Sequence, residues 1–241
     1  MKPNIPAMLL IIFTFQAFQT VCSQESNSGF PKDGYTIEKF GDLTLEGNYT
    51  GGKKEGNWLT YYPSGILFKV EEFHEGKRNG ILLEIDSKGM LYSQATYRND
   101  HLDGVSKSYA RAGKLNWEKS YSMDRLNGLS RIFYEGGVIQ EEAWYKNGQR
   151  DSISTWFDSK GVKVASIQYK EGKFNGPSII YYGNGKIKSE KYYVMDVLNG
   201  AYNEYYDTGV LSCNGNYSKG QKKGIWQNYD ETGKVKLKEK F

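Results

Sequence analysis

Residues 173–208 read KFNGPSIIYYGNGKIKSEKYYVMDVLNGAYNEYYDT, and one phrase in them returns before it has ended. Asn175-Gly176 is answered by Asn199-Gly200, and Tyr181-Tyr182 by Tyr205-Tyr206, at a common offset of 24 residues. That offset governs the chain. Gly65, Gly89, Gly113, Gly137, Gly161, Gly185, Gly209 and Gly233 stand 24 apart without a break. With 28 glycines in 241 residues, eight in one phase is not chance. A second glycine phase runs from Gly56 to Gly224 with a single lapse, to Ser152. An aromatic phase runs from Tyr49 to Phe241, and another from Tyr61 to Tyr229 is interrupted only by Ile85.

Each unit reads as strand, tight turn, strand, looser turn. The tight turn ends at Gly65 and its kin (DSKG at 86–89, YGNG at 182–185), where glycine supplies a positive φ. The looser connection is HEGKRNG at 74–80 and its equivalents. The spacing predicts an all-β fold: an elongated single-layer antiparallel sheet of stacked β-hairpins, with eight 24-residue repeats and a degenerate N-terminal cap. At about 4.8 Å per strand, eight units extend roughly 75–80 Å. A tight turn centred on Ser64 pairs 61 with 67, 59 with 69 and 57 with 71, and the looser turn pairs 73 with 81. Odd-numbered residues then share one face, where positions 57, 61, 67 and 73 form apolar ladders along the array. The even face carries Trp144, Trp156, Tyr182, Tyr192, Tyr202 and Tyr206, with Tyr192 opposite Tyr202 and Trp144 diagonal to Trp156. These six are the candidate binding surface, because clustered exposed aromatics anchor proteins or stack on sugars.

The composition suits pleated, half-exposed sheets: 20 tyrosines, 15% aromatic and only 38% hydrophobic residues. The 32 basic and 28 acidic residues are interspersed, with no tract to hold nucleic acid. Residues 1–23 differ in kind. The apolar run from Met8 to Phe18 is too short to span a bilayer and suits a secretory signal, cleaved between Ser23 and Gln24. Acylation at Cys22 is the rival, weakened by a poor lipobox. The expected organisation is a signal peptide at 1–23, a linker at 24–32, the cap at 33–48 and the array at 49–241. Export places the protein in the periplasm, at the cell surface or outside the cell, with no transmembrane segment in the mature chain.

Catalytic signals are sparse. His74 and His101 fall at different phases, with no third ligand for zinc. Asp100, Asp103, Asp124, Asp151 and Asp196 sit in turns without the alternation of a calcium loop. Cys213 has no partner for a disulfide once the leader is removed, and no histidine nearby in the repeat frame. No phosphate loop is present. No catalytic residue, metal or cofactor is expected.

The string Tyr-x-x-Gly-x-x-x-Gly, followed by an aromatic strand and an x-x-Gly turn, is best kept in YSKGQKKGIWQNYDETG (217–233) and YKEGKFNGPSIIYYGNG (169–185). It resembles the MORN-type repeat, and is similar to the variant in bacterial proteins of the YwqK family of antitoxins. The likeness runs from about residue 33 to 241. It implies a non-enzymatic scaffold of stacked hairpins that binds other proteins and, in some relatives, membrane lipids; the antitoxin label implies neutralisation of a partner toxin. The His-Gly pair of the eukaryotic-type repeat is Asn-Gly or Asp-Gly here, and an exported chain meets a toxin only outside the cytoplasm. The expected role is an exported protein-binding scaffold at the bacterial envelope. Antagonism of a toxin and carbohydrate binding at the cell surface are the alternatives.

Overall fold

Two kinds of turn build the sheet. In the first, the Gly65 N–H donates to the Tyr62 carbonyl and the Tyr62 N–H to the Ile66 carbonyl, both at 2.9 Å. Pro63 presets the first turn position and Gly65 takes φ 81°, giving a type I turn followed by a glycine bulge. The second is tighter than the sequence suggests. Glu75 and Gly76 have φ 51° and 81°, and His74 pairs directly with Lys77. The connection is therefore a two-residue type I′ hairpin rather than a loose seven-residue loop. Its equivalents Met123-Asp124, Asn147-Gly148 and Met195-Asp196 also take positive φ at both central residues.

The computed structural model describes residues 32–241: one open antiparallel sheet of nineteen strand segments, from Gly34–Phe40 to Val235–Lys240, joined edge to edge in chain order. One strand is broken, with His101–Leu102 and Gly104–Tyr109 both pairing with Leu91–Arg98. The expected signal peptide, its cleavage between Ser23 and Gln24, Cys22 and most of the 24–32 linker lie outside the described residues.

The expected single-layer sheet holds, but its facing does not. Tyr61 pairs with Leu67 as expected, yet Thr60 pairs with Lys69 and Trp58 with Glu71, because Phe68 is bulged out. Across the I′ turn Phe73 pairs with Arg78, not residue 81, and the next regular pair is Glu71 with Leu82. Asn79, Gly80 and Ile81 therefore stand against Glu72 alone. The Phe68 bulge, one residue long, changes side-chain parity; the second, with two extra residues, keeps it, and the two-residue I′ turn itself pairs odd with even positions. Positions 58 and 60 of one strand share a face with 69, 71 and 73 of the next, while 57, 59, 61, 67, 70 and 72 face the other way.

The first face is covered by its own side chains. Ser154, Ile167 and Trp58 are 0%, 1% and 2% exposed although no second layer exists. Aromatic rings from successive units meet edge to face over them, as in Tyr169–Phe174–Tyr193 at 5.1 and 5.3 Å. Long cations finish the cover. The Arg150 guanidinium lies over Tyr145, Trp156 and Tyr169 at 5.2–5.7 Å and also binds Glu141 and Ser154. Near each end the device is the same. Trp58 lies across Gly47 under Lys54 (3.9 Å), and Trp226 lies across Gly215 under Lys222 (4.3 Å). A Cβ at either glycine would collide with the indole.

Gly215→Ala is accordingly expected to destabilise by about 1–3 kcal/mol through overpacking. Hydrogen exchange should show the loss in Leu211–Ser218 and Gln221–Tyr229 and not in Leu67–His74, since contacts reach only neighbouring units. Gly215→Ala/Trp226→Leu should recover most of it. Uniform loss of protection along the array would contradict nearest-neighbour stability.

Candidate interaction surface

Most polar groups that resemble chemistry in the sequence hold one unit to the next. In the I′ turns from Glu75-Gly76 onward the second residue donates its N–H to a carbonyl of the preceding unit: Gly76 to Lys54 (2.9 Å), Gly148 to Leu126 (2.7 Å), Asp196 to Phe174 (2.9 Å). Where that residue is aspartate, its carboxylate also accepts a backbone N–H of the preceding unit. Asp100 takes it from Arg78, Asp124 from Leu102 and Asp196 from Phe174, at 2.7–3.0 Å. Asn127, Asp151, Asn175 and Asn199 accept the N–H of the first turn residue 20 positions on. The asparagine of Asn-Gly is thus a tie to the next turn, and its glycine forms the bulge. His74 and His101 bond Glu55 (2.9 Å) and Asp124 (2.6 Å) in neighbouring units. No cluster of three metal-ligating residues occurs among the described residues. Cys213 is half-buried, and burial pushes its thiol up, away from the reactive thiolate.

The six sequence-predicted aromatics do not form one surface. Tyr182 and Tyr206 donate their hydroxyls to the carbonyls of Tyr205 and Tyr229, 23 residues on, at 2.6 and 2.8 Å. Tyr62 and Tyr134 do the same to Ile85 and Phe157. At this phase Asp86, Asp158 and Asp230 instead accept two N–H groups within their own turn. That alternation of tyrosine with aspartate is a structural signal readable in the sequence. Trp156 and Tyr202 lie on the covered face, Trp156 beneath Arg150 and Tyr202 against Tyr217 and Trp226. Tyr192 pairs with Pro177, whereas Tyr202 pairs with Lys191, so the two tyrosines face opposite ways. Trp144 and Trp156 are likewise on opposite faces, since Glu141 is the residue opposite Trp156. The one-residue bulge after each type I turn and the two-residue I′ turn are the reason for each correction. Only Trp144 and Tyr192 remain exposed, at 48% and 49%, and they share the open face.

Other residues join them. Ile81, Val105, Ile153 and Ile225 occupy one phase on the open face and are all exposed. The sequence shows this phase as apolar, but the bulges turn it outward. The hairpin tip Val194, Met195 and Val197 is also exposed, and apolar where its equivalents Lys170, Glu171 and Lys173 are charged.

Four segments of the chain match the family of the MORN repeat variant: residues 54–75, 126–149, 174–195 and 222–241. Their starts are separated by whole multiples of the 24-residue period. The chain carries MORN repeats. Each matched segment opens on the strand that follows an I′ turn, so the MORN unit contains one type I turn and both of its flanking strands. No curated protein matches the chain in sequence.

The ties between MORN units carry a pH dependence. The hydrogen bond from Glu55 raises the His74 pKa above its ordinary value and lowers that of Glu55. A raised histidine pKa contributes stability in full below the unfolded value, about 6.5, and loses it as pH rises through the folded value. An NMR titration should therefore place His74 above about 6.5, and Glu55→Gln should bring it down. An unshifted His74 in the parent protein would mean that this tie is absent in solution.

Proposed function

We propose that the chain is an exported, non-catalytic scaffold at the bacterial envelope whose open face holds a protein partner. The observation that carries this reading is the exposed apolar row. Ile81, Val105, Ile153 and Ile225 are 39–49% exposed at one position of the unit, and Trp144, Tyr192 and the Val194–Val197 tip extend the row on its turn side. Isolated exposed aliphatics are ordinary, but a repeated row with half-exposed aromatics has the make-up of an interface. Its pitch is about 10 Å, two strand spacings, which matches side chains seven residues apart on a helix laid along the sheet, roughly 10.5 Å. Protein interaction is also a frequent role of MORN repeats. The polar groups a catalytic centre would require are committed to holding units together, and the leader-like character of residues 1–23 favours export.

The test is capture from envelope extract, with the parent protein beside two variants, Ile81→Asp/Val105→Asp and Val194→Asp/Val197→Asp. The parent should retain one protein stoichiometrically, and at least one variant should lose it at least tenfold while keeping the circular dichroism of the sheet. An empty capture with folded parent protein, or capture unchanged in both variants, would overturn the reading.

A further inference from the structure

The glycine phase lapses once, at Ser152, and the lapse coincides with the most exposed tryptophan among the described residues that carry one on the open face. In five units the glycine of the bulge takes φ between 110° and 140°, and the side chain eight residues before it lies where a Cβ would stand. Thr96 seats over Gly104, Ser120 over Gly128, Gln168 over Gly176 and Tyr192 over Gly200, with nearest atoms 3.0–3.1 Å from that Cβ position. Ser152 takes φ 73°, a left-handed conformation disfavoured for serine and shared with Gly56 and Gly224 (69° and 75°), over which no side chain lies. The side chain eight residues before it is Trp144, which stands 48% exposed on the open face, as Tyr192 does at 49%. Beside it a shallow cleft of about 550 Å³ is lined by Asn127, Trp144, Lys146, Asp151 and Ser152, with Gly128 and Tyr145.

We propose that this cleft binds a neutral pyranose sugar. The indole offers a flat apolar surface for the C–H face of the ring. Around it stand an amide, a carboxylate, a hydroxyl and an ammonium, a mixture of donors and acceptors. Asn127 and Asp151 each use one oxygen, at 3.4 Å, to hold the turns at Asn147 and Glu171, which fixes their position and leaves the amide N–H₂ and the second carboxylate oxygen as further hydrogen-bonding groups. Sugar hydroxyls both donate and accept, and so suit this set. The Asp151 carboxylate disfavours a phosphate, and the polar rim disfavours a wholly apolar ligand. The cleft is shallow and open, so it would cover one face of a ring and leave the other in water. The cleft shares Trp144 with the protein-binding row, but Ile81, Val105, Val194 and Val197, the residues varied to test that row, do not line it.

The test follows the indole N–H resonances of the ¹⁵N-labelled protein during titration with neutral disaccharides: cellobiose, lactose, maltose and di-N-acetylchitobiose. The Trp144 signal should move saturably with a Kd in the millimolar range, while Trp58 and Trp226, 2% and 3% exposed, stay in place. Trp144→Ala, followed by calorimetry, should abolish binding with the circular dichroism of the sheet intact. Co-sedimentation with chitin, cellulose or peptidoglycan separates a polymer ligand from a free sugar: pelleting lost in Trp144→Ala identifies the polymer, and binding confined to solution identifies the free disaccharide. A Trp144 signal unmoved by all four sugars at about 50 mM overturns the proposal. So does binding that Trp144→Ala leaves unchanged.

Discussion

Among the described residues the sheet is one layer thick, so every unit must be completed by the unit 24 residues away. The bond that meets this requirement most regularly runs from the second residue of an I′ turn to a carbonyl at the start of the strand that leaves the turn before it. It needs a left-handed residue at that place, which explains the glycines and aspartates there, and it stacks the turns into a continuous border. With the border fixed, the tyrosine and phenylalanine ladder from Tyr49 to Phe241 falls in register and covers small residues such as Ser154 and Ser178. Coverage by neighbours also raises the ladder phenols. Burial takes Tyr169 up to about 12, so these rings remain neutral hydroxyls at any physiological pH.

The period, the strands and the type I turn were legible because each depends on residues close in sequence. Facing was not, because it depends on where extra residues are absorbed. The phases of positions 57, 61, 67 and 73 are apolar in most units, yet Phe73 lies on the covered face and the other three positions on the open one. Composition cannot separate them, since both faces of a single layer carry apolar side chains. One bulge per unit and the two-residue I′ turn set the parity, and the sign of the second bulge is Asn-Gly, which reads as the end of a loop. Its glycine instead makes room for a side chain of the preceding strand, as Gly200 does for Tyr192.

The same regularity decides which residues can carry specificity. Where a phase is filled in nearly every unit by residues that bond backbone, as with Tyr62, Tyr134, Tyr182 and Tyr206 to the next unit and Asp86, Asp158 and Asp230 within their own turns, the side chain belongs to the fold. A departure from a phase carries the opposite implication. Ser152 was visible in the sequence as a lapse, but its link to Trp144 was not, because the pairing of those two positions is set by the bulge. Trp156, equally prominent in the sequence, is committed beneath Arg150 on the covered face.

The Val194–Val197 tip shows how the scaffold can hold such a departure. Met195 has φ 48°, a conformation costly for an unbranched side chain that gains no local hydrogen bond from it. Three bonds to the preceding unit oppose that cost: the Met195 N–H to Asn175, the Asp196 N–H to the Phe174 carbonyl, and the Phe174 N–H to the Asp196 carboxylate. The backbone of the tip is thus fixed by its neighbour and by Asp196, not by the side chains of Val194, Met195 and Val197. Val194, Met195 and Val197 are therefore free of any folding role that would dictate their chemistry, and their apolar character calls for a cause outside the fold. Contact with another molecule on the open face is the cause that the exposed row beside them supplies.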